Sequence, residues 1–319
     1  MTDKPVLLSV LIIAYNHEAY IEQTLESVVT QKTDFAFDIV IGDDASTDKT
    51  RDICADYAEK YPHLIRLLPA TANLGVVPNY IRTLAACRGT YVAHLDGDDY
   101  WIDVNKLQKQ VNKLENDEDL TICYTSRRVF REDWNGDGDT FYAITDGESN
   151  KKYYAEDFAN DAFFHLSTIV FRRPTDNKIA QQLATFKNIV DRPLSIMLLE
   201  ELGGYALKIP DVCIVFRMNS NSLFTPTDEI KRSRMTNEMY TQLSKLYPHL
   251  AKYFNHHLNV SAYFELRDAY RKKDKTTVRT LATQILARPT LVNDWRLKFK
   301  TFLHLQLSKS LKLLESYVL

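Results

Sequence analysis

The chain lacks an uninterrupted apolar run of the roughly 18 residues that a membrane-spanning helix needs. It also lacks a glycine-rich phosphate loop: no GxxxxGK occurs, and the turn after its first apolar segment, AYNHEAY, has no glycine to let backbone approach a pyrophosphate. Neither sign of charge is in excess, since 40 Lys and Arg stand against 42 Asp and Glu, a formal net charge of -2. These absences argue against a helical membrane protein, a Walker-type or dinucleotide site, and a nucleic-acid partner. Cysteine is scarce as well. Cys54, Cys87, Cys123 and Cys213 are widely separated, lie in apolar periodic segments and show no metal or redox spacing, so reduced core thiols in a cytoplasmic protein are expected. The apolar run near the start has Asp3 before it and no small-residue cleavage site after it, which argues against a secretory signal.

What is present is an ordinary globular composition, 45% hydrophobic and 26% charged, on a length of 319 residues that suits one large domain and a smaller one. VLLSVLIIAY (6–15) is a continuous β-branched run, the pattern of a strand buried on both faces. The following NHEAYIEQTLESVVTQ sets Ile21, Leu25, Val28 and Val29 on one helical face, with Asn16 available as a cap. FDIVIG, a helix from about Thr47 to Lys60, LIRLLP, a helix with Pro78 in its first turn and Gly89 as its stop, and TYVAHLD continue the alternation. A βαβαβαβ order implies an α/β fold with a doubly wound, mostly parallel sheet. A helix over NKLQKQVNKLEND and a strand at 120–130 follow. Residues 131–157 read as a long loop or small excursion, and HLSTIVFRR, two short helices and YALKIPDVCIVFRM complete the sheet domain. Residues 1–224 form this domain in our reading, and the Lys-, Arg- and Glu-rich segments of 225–319 form a C-terminal helical domain.

In an open parallel sheet, ligands bind outside the carboxyl ends of the strands. Tyr15 and Asn16 follow the first strand, Asp43 and Asp44 the second, Asn73 and Gly75 the third, and Asp96, Asp98 and Asp99 the fourth, so four polar loops meet on one rim. Carboxylates repel phosphates unless a cation lies between them, so a nucleotide bound here implies a divalent metal, Mn2+ or Mg2+. If the DGD segment is extended, Asp96 and Asp98 point the same way and can share that ion.

SVLIIAYNHEAYIEQTLESVVTQ, DIVIGDDASTDKT, NLGVVPNYIRTLAACRGTYVAHLDGDDYW and KLQKQVNKLE, in that order, resemble the nucleotide-sugar domain of the family 2 glycosyltransferases, which have the GT-A fold. The likeness runs over residues 6 to 130 and more loosely to about 220. It implies an inverting transfer of a sugar from a nucleoside-diphosphate donor, uridine-based by the same likeness, to a hydroxyl of a glycan or lipid-linked glycan in bacterial polysaccharide biosynthesis. By the same resemblance Asp44 holds the base with Tyr15 and Asp43 nearby, Asn73 joins the nucleotide-sugar site, Asp96 contacts the ribose or the metal, Asp98 ligates the metal, and Asp99 supports the loop. IVDRPLSIMLLEELGGY matches the segment that supplies the general base and points to Asp191, although the family's acidic pair has become Val190-Asp191 and its Trp has become Arg192. His165, Ser167 and Thr168 match the acceptor side, and Arg217 a basic position near the diphosphate.

Other readings of the same residues stay open. Asp43 can cap the second helix, and Asp191 can cap a helix beginning at Arg192-Pro193. His94, inside the fourth strand, reads as a satisfied core residue. DWNGDGDTFYAI (133–144) has the look of a calcium loop, but Ile144 stands where a bidentate Glu is expected. Trp295, Phe299, Phe302, Leu303, Leu307 and Leu311 set among lysines and arginines form either a membrane-resting face or, the preferred reading, a helix packed on its neighbours. A nucleotidyltransferase and a non-catalytic sugar- or nucleotide-binding module are the rival functions.

Overall fold

The computed structural model describes residues 5–131, 140–144, 148–218 and 229–288, together with 297, 298, 300–302 and 304. The chain divides into two compact units, Met1–Ser222 and Leu223–Leu319.

The first unit begins with β1 (Leu8–Ala14), α1 (Ile21–Val29), β2 (Phe37–Asp43), α2 (Thr50–Lys60), β3 (Ile65–Leu67), α3 (Val76–Ala86) and β4 (Tyr91–Asp96). It continues with β5 (Tyr100–Trp101), α4 (Lys106–Glu115), β6 (Leu120–Arg131), β7 (Thr140–Ile144), β8 (Lys152–Tyr153), α5 (Ala155–Asn160), β9 (Val170–Arg172), α6 (Lys178–Leu183), α7 (Asp191–Leu202) and β10 (Tyr205–Met218). Among the described residues these ten strands make one sheet in the order β3-β2-β1-β4-β9-β6-β10-β5, with β7 on β6 and β8 on β10. The expected doubly wound, mostly parallel α/β architecture is what forms. β3, β2, β1 and β4 run parallel, as do β6 and β10, while β9 is antiparallel to both β4 and β6.

The registers put the site where it is. β1 pairs with β2 from Leu8↔Phe37 to Ala14↔Asp43 and with β4 from Leu8↔Tyr91 to Ile13↔Asp96. Three central strands therefore finish level, and their polar followers share one rim. Beneath it Val10, Ile12, Leu25, Val28, Ile39, Ile41, Leu95, Leu107 and Val111 belong to one buried cluster. Each such side chain contributes about 1.5–3 kcal/mol of transfer free energy, an upper figure because the unfolded chain is itself partly compact. All four cysteines are free and buried, and burial pushes their thiols up to about 12, as core thiols should be.

Several local expectations are corrected. α1 starts at Ile21 and Asn16 does not cap it; Asn16 has φ 56° and its side-chain oxygen accepts from Thr47 N at 2.8 Å in the β2–α2 loop. α3 ends at Ala86, before Gly89. Gly89 is instead a point of close approach, where a Cβ would lie 2.5 Å from the backbone nitrogen of Ser9. Of HLSTIVFRR, only Val170–Arg172 is strand, because Leu166–Thr168 closes into a 3-10 turn. The 131–157 excursion carries β7, β8 and the start of α5. Residues 133–139 of the calcium-like stretch lie outside the described residues.

The second unit, among its described residues, holds α8 (Glu229–Leu246), a 3-10 turn at Pro248–Leu250, α9 (Ala251–Arg271) and α10 (Lys275–Ala287). α9 and α10 pack through Ala262, Leu266, Ala269, Val278, Ala282 and Ile285. Asp274 caps α10 by accepting from Thr276 N and Thr277 N. No described helix is long and apolar enough to cross a membrane. Trp295, Phe299, Leu303, Leu307 and Leu311 lie outside the described residues.

Candidate active site

The rim is held by loops that bind one another. Asn16 N donates to Ser46 Oγ at 3.0 Å, Glu18 N to Asp48 Oδ2 at 3.1 Å, and Lys49 N to Glu18 Oε2 at 3.0 Å, so the loops after β1 and β2 are stitched together. Asn16 and Ala45 both take left-handed backbone, with φ near 56° and 57°, to make those turns. Asp43 is fully buried and accepts from the Ser46 hydroxyl at 2.5 Å and from Arg51 at 3.2 Å. Its carboxylate thus closes the loop that leads into α2 without capping that helix, whose N-cap is Lys49 with no side-chain cap bond. Asp44 accepts from Leu74 N at 2.8 Å and Gly75 N at 2.9 Å, and its own carbonyl accepts from the Asn73 amide at 3.2 Å. One pair of oxygens therefore fixes the β3–α3 loop. Tyr15 is 44% exposed at the same rim.

The DGDD segment is a turn, not an extended strand. β4 stops at Asp96, and Asp99 N donates back to Asp96 O at 3.1 Å. Positions three apart are thereby brought together, in place of the positions two apart that an extended segment aligns. Carboxylate oxygens of Asp96 and Asp99 and a ring nitrogen of His165 lie within 4.8 Å of one another, with Asp98 half-buried at the corner of the turn. Gly97 is needed here, because a Cβ would sit 2.7 Å from His17 Nδ1 and 2.9 Å from Ala14 Cβ. The Thr24 hydroxyl on α1 lies 2.9 Å from Gly97 O and 2.7 Å from Asp99 O, which ties the turn to the helix.

Arg217, near the end of β10, straps the turn from its other side. Its backbone nitrogen donates to Asp99 Oδ1 at 2.9 Å, and its guanidinium donates to Asp98 O at 2.7 Å and to Gln23 Oε1. The same group lies 5.1 Å from the Tyr20 ring centroid and 4.7 Å from that of Tyr100. Tyr20, Gln23, Thr24 and Tyr100 were not legible as site residues, since each reads locally as an ordinary helix or strand position.

The 3-10 turn at Leu166–Thr168 supplies the third side. Ser167 Oγ donates to Asp99 Oδ2 at 2.5 Å, lies 3.3 Å from Asp96 Oδ2, and accepts from Asp96 N at 3.2 Å. His165 caps the turn through Nδ1, which also lies 3.6 Å from Asp99 Oδ2. The hydroxyl of Thr168, by contrast, donates to His165 O at 2.6 Å, so it closes its own turn. His94 is buried as expected but is not the satisfied core residue the sequence suggests: its Nε2 is 3.0 Å from Asp96 Oδ1, and its Nδ1 has no hydrogen-bond partner among the described residues. The two residues lie two apart on β4 and share a face, which is the signal that pairs them.

Charge at this cluster is uneven. Burial opposes ionisation of Asp96, yet His94 beside it outweighs burial and holds that carboxyl well below the usual range. Burial, with Asp98 and Asp96 adding repulsion, raises Asp99 well above it. Burial, then Arg127, pushes His165 down to about 3, so its imidazole is neutral at pH 7. The Asp96 carboxylate, the Asp99 carboxyl once a cation draws off its proton, and the His165 imidazole are donors that a divalent transition ion such as Mn2+ accepts, whereas Mg2+ would rest on the oxygens alone. Asp191 is the first residue of α7, which moves the expected helix start back from Arg192 and makes Pro193 its third position. The Asp191 carboxylate accepts from Arg192 N at 2.7 Å, and its pKa is raised by burial and, more weakly, by the charge of Asp96. The structure thus brings Asp96, Asp98, Asp99, His165, Ser167 and Arg217 into contact, with Asp191 within electrostatic reach. Asp43, Asp44 and Asn73 form a neighbouring group on the same rim.

Comparison with known proteins gives this rim a context. The glycosyl transferase family 2 profile matches residues 9–180. The Mycobacterium tuberculosis protein Rv1520 is 32% identical over 223 residues, 68% of this chain and 60% of that protein, so the chain spans less than two thirds of that relative. A putative teichuronic acid biosynthesis glycosyltransferase of Bacillus subtilis, TuaG, is 40% identical over 111 residues, 35% of this chain and 43% of that one. Among solved structures, S. aureus TarS 1–349 in complex with UDP-GlcNAc superposes with a TM-score of 0.63 at 15% identity, covering 95% of this chain and 90% of that one. The mannosyltransferase PcManGT from Pyrobaculum calidifontis, in complex with GDP-Man and Mn2+, gives a TM-score of 0.54 at 19% identity, covering 99% and 89%. A parallel sheet whose level strand ends gather carboxylates around a DGDD turn is the GT-A arrangement, and this chain belongs to glycosyl transferase family 2.

Proposed function

We propose that the protein is an inverting, metal-dependent glycosyltransferase that moves a sugar from a nucleoside-diphosphate donor, uridine-based, to a hydroxyl of a glycan or lipid-linked glycan. The observation that carries this reading is the meeting of Asp96, Asp99 and His165 within 4.8 Å at the carboxyl rim, with Asp191 facing the same charge cluster. The donor complexes of TarS with UDP-GlcNAc and of PcManGT with GDP-Man and Mn2+ support it by fold likeness. Asp44, with Tyr15, Asp43 and Asn73 around it, takes the base. Asp96 and Asp98, joined by Asp99 and His165, would hold the ion, and Mn2+ or Mg2+ held there would supply positive charge against the departing diphosphate. Arg217 keeps the DGDD turn in place from behind, and its guanidinium adds positive potential near the phosphates.

In the transfer, Asp191 takes the proton from the acceptor hydroxyl as that oxygen bonds to the anomeric carbon. The bond from the anomeric carbon to the diphosphate oxygen breaks on the opposite face, and the nucleoside diphosphate leaves with the electron pair. The His165–Thr168 turn backs the acceptor side, with the Ser167 and Thr168 hydroxyls turned inward onto Asp99 and the His165 carbonyl. Residues 225–319 are a C-terminal helical domain in this reading.

Incubation with Mn2+ and a panel of radiolabelled nucleotide sugars tests the proposal. Wild type should turn over one donor, Asp98→Ala should lose turnover, and Asp191→Asn should keep donor affinity while losing transfer by about 10²–10⁴-fold. Turnover unchanged in Asp191→Asn removes it as the base, and metal-independent binding without turnover in any form removes the enzyme reading.

A further inference from the structure

Behind the catalytic rim lies a buried cation that the transfer does not use. Lys106, the first residue of α4, is fully buried and makes no ion pair with a carboxylate among the described residues. Burying an unpaired ammonium is expensive, so its two contacts need a reason. Lys106 Nζ donates to Gln110 Oε1 at 2.7 Å and sits 4.3 Å above the Trp101 ring. Both contacts lead to the same place. The Gln110 amide donates to Thr168 O at 2.9 Å and to Cys123 O at 2.6 Å, and Trp101 Nε1 donates to Ser167 O at 3.1 Å. The turn thus held is the one whose Ser167 hydroxyl binds Asp99 and Asp96.

We propose that Lys106 is a positioning residue: its buried charge orients Trp101 and Gln110, these hold the carbonyls of Ser167 and Thr168, and the turn sets the carboxylates of Asp96 and Asp99. The role rests on the reading of that cluster as the donor and metal site. Groups facing Lys106 are Cys213 on β10, Cys123 on β6 and Asp103 before α4, and none is in ion-pair contact with it. Burial accordingly pulls the ammonium down to about 8. Amides that hydrogen-bond through their oxygen to an ammonium donate more strongly through their nitrogen, so the charge strengthens the bond Gln110 makes to Thr168 O in the turn and the one it makes to Cys123 O on β6.

The test compares wild type with Lys106→Met, which keeps length and removes charge, and Lys106→Arg, which keeps charge. Amide hydrogen exchange of the segment 164–170 should quicken on the order of tenfold in Lys106→Met, with β1, β2 and β4 exchanging as in wild type and Lys106→Arg falling between. Affinity for Mn2+ with UDP, measured by calorimetry, should weaken on the order of tenfold, the usual size of an outer-shell effect. In a Trp134→Phe, Trp295→Phe background, emission of Trp101 should titrate with a midpoint near 8 and lose that titration in Lys106→Met. Unchanged exchange at 164–170, or exchange that quickens through the whole sheet, overturns the proposal, as does a pH-flat Trp101 signal in the parent. If wild type binds no Mn2+ with UDP, the proposed function fails while the exchange comparison still decides the role of Lys106. Should Lys106→Met not fold, Gln110→Met puts the same question to the next link, with the same exchange readout.

Discussion

At the scale of residues, the site works by making like groups unlike. Asp96 beside His94 stays ionised, Asp99 in a buried bed of charge is pushed towards its neutral form, and Asp191 sits between, raised by burial. A base must be ionised to accept a proton, so activity should fall as pH drops through the raised pKa of Asp191. The acid limb of kcat/KM is expected above the ordinary aspartate value of about 3.9 and should move further up if Arg192, whose backbone and charge both lower that pKa, is replaced by leucine. An acid limb at the ordinary value would remove Asp191 from this role. Lys106 carries a linkage of opposite sense. Its folded pKa, about 8, lies below its ordinary 10.5, so its burial costs stability below pH 8, and wild type gains stability as pH rises from 8 towards 10.5. The stability of Lys106→Met relative to wild type should therefore be greatest near neutrality and shrink as the solution becomes alkaline, measured by denaturant midpoints at a series of pH values.

At the scale of elements, the loops are fixed by contacts across the sheet more than by their own sequence. The β4 strand enters beside β1 with Gly89 packed on the backbone of Leu8 and Ser9, the nearest atoms 2.5–2.7 Å from where a Cβ would lie. Gly89→Ala forces backbone apart at a central pair and should cost about 1–3 kcal/mol, seen as a lowered thermal midpoint. The level ends of β1, β2 and β4 were legible, because β-branched runs followed by polar clusters mark buried parallel strands and their rim. The DGDD geometry was not. Sequence alternation treats residues 96 to 98 as extended, whereas the Asp99 to Asp96 backbone bond and the Thr24 hydroxyl bend them, and both come from outside the local pattern. Asn16 misled for a related reason: its side chain finds a better partner on the neighbouring loop than at the helix it precedes.

At the scale of the whole molecule, acidic groups crowd one rim of a chain whose net charge is only -2, so the repulsion is local and a local cation answers it. Ligand binding should then be coupled to the ion. UDP with Mn2+ at a hundred times its dissociation constant should raise stability by about 2.7 kcal/mol, seen as an upward shift in thermal midpoint, and UDP with EDTA should raise it little. Equal shifts with and without the ion would separate nucleotide binding from the acidic cluster.

The amino-acid sequence alone determined the alternating α/β order, the parallel sheet, the rim on which ligand chemistry gathers and the residue types that gather there. Those follow from periodicity and from the handedness of strand–helix–strand connections, which act over a few tens of residues. Only the tertiary structure decided that Asp99 and His165 join Asp96, that Arg217 is a strap behind Asp98, that Asp44 holds the loop before α3, and that Lys106 is buried beneath the turn. Apart from the Asp96–Asp99 turn and the contact of Lys106 with its own helix, these pairings span from about thirty to more than a hundred residues and are set by which strands become neighbours in the sheet. Local propensity carries no information about that distance, and the packing that closes it does.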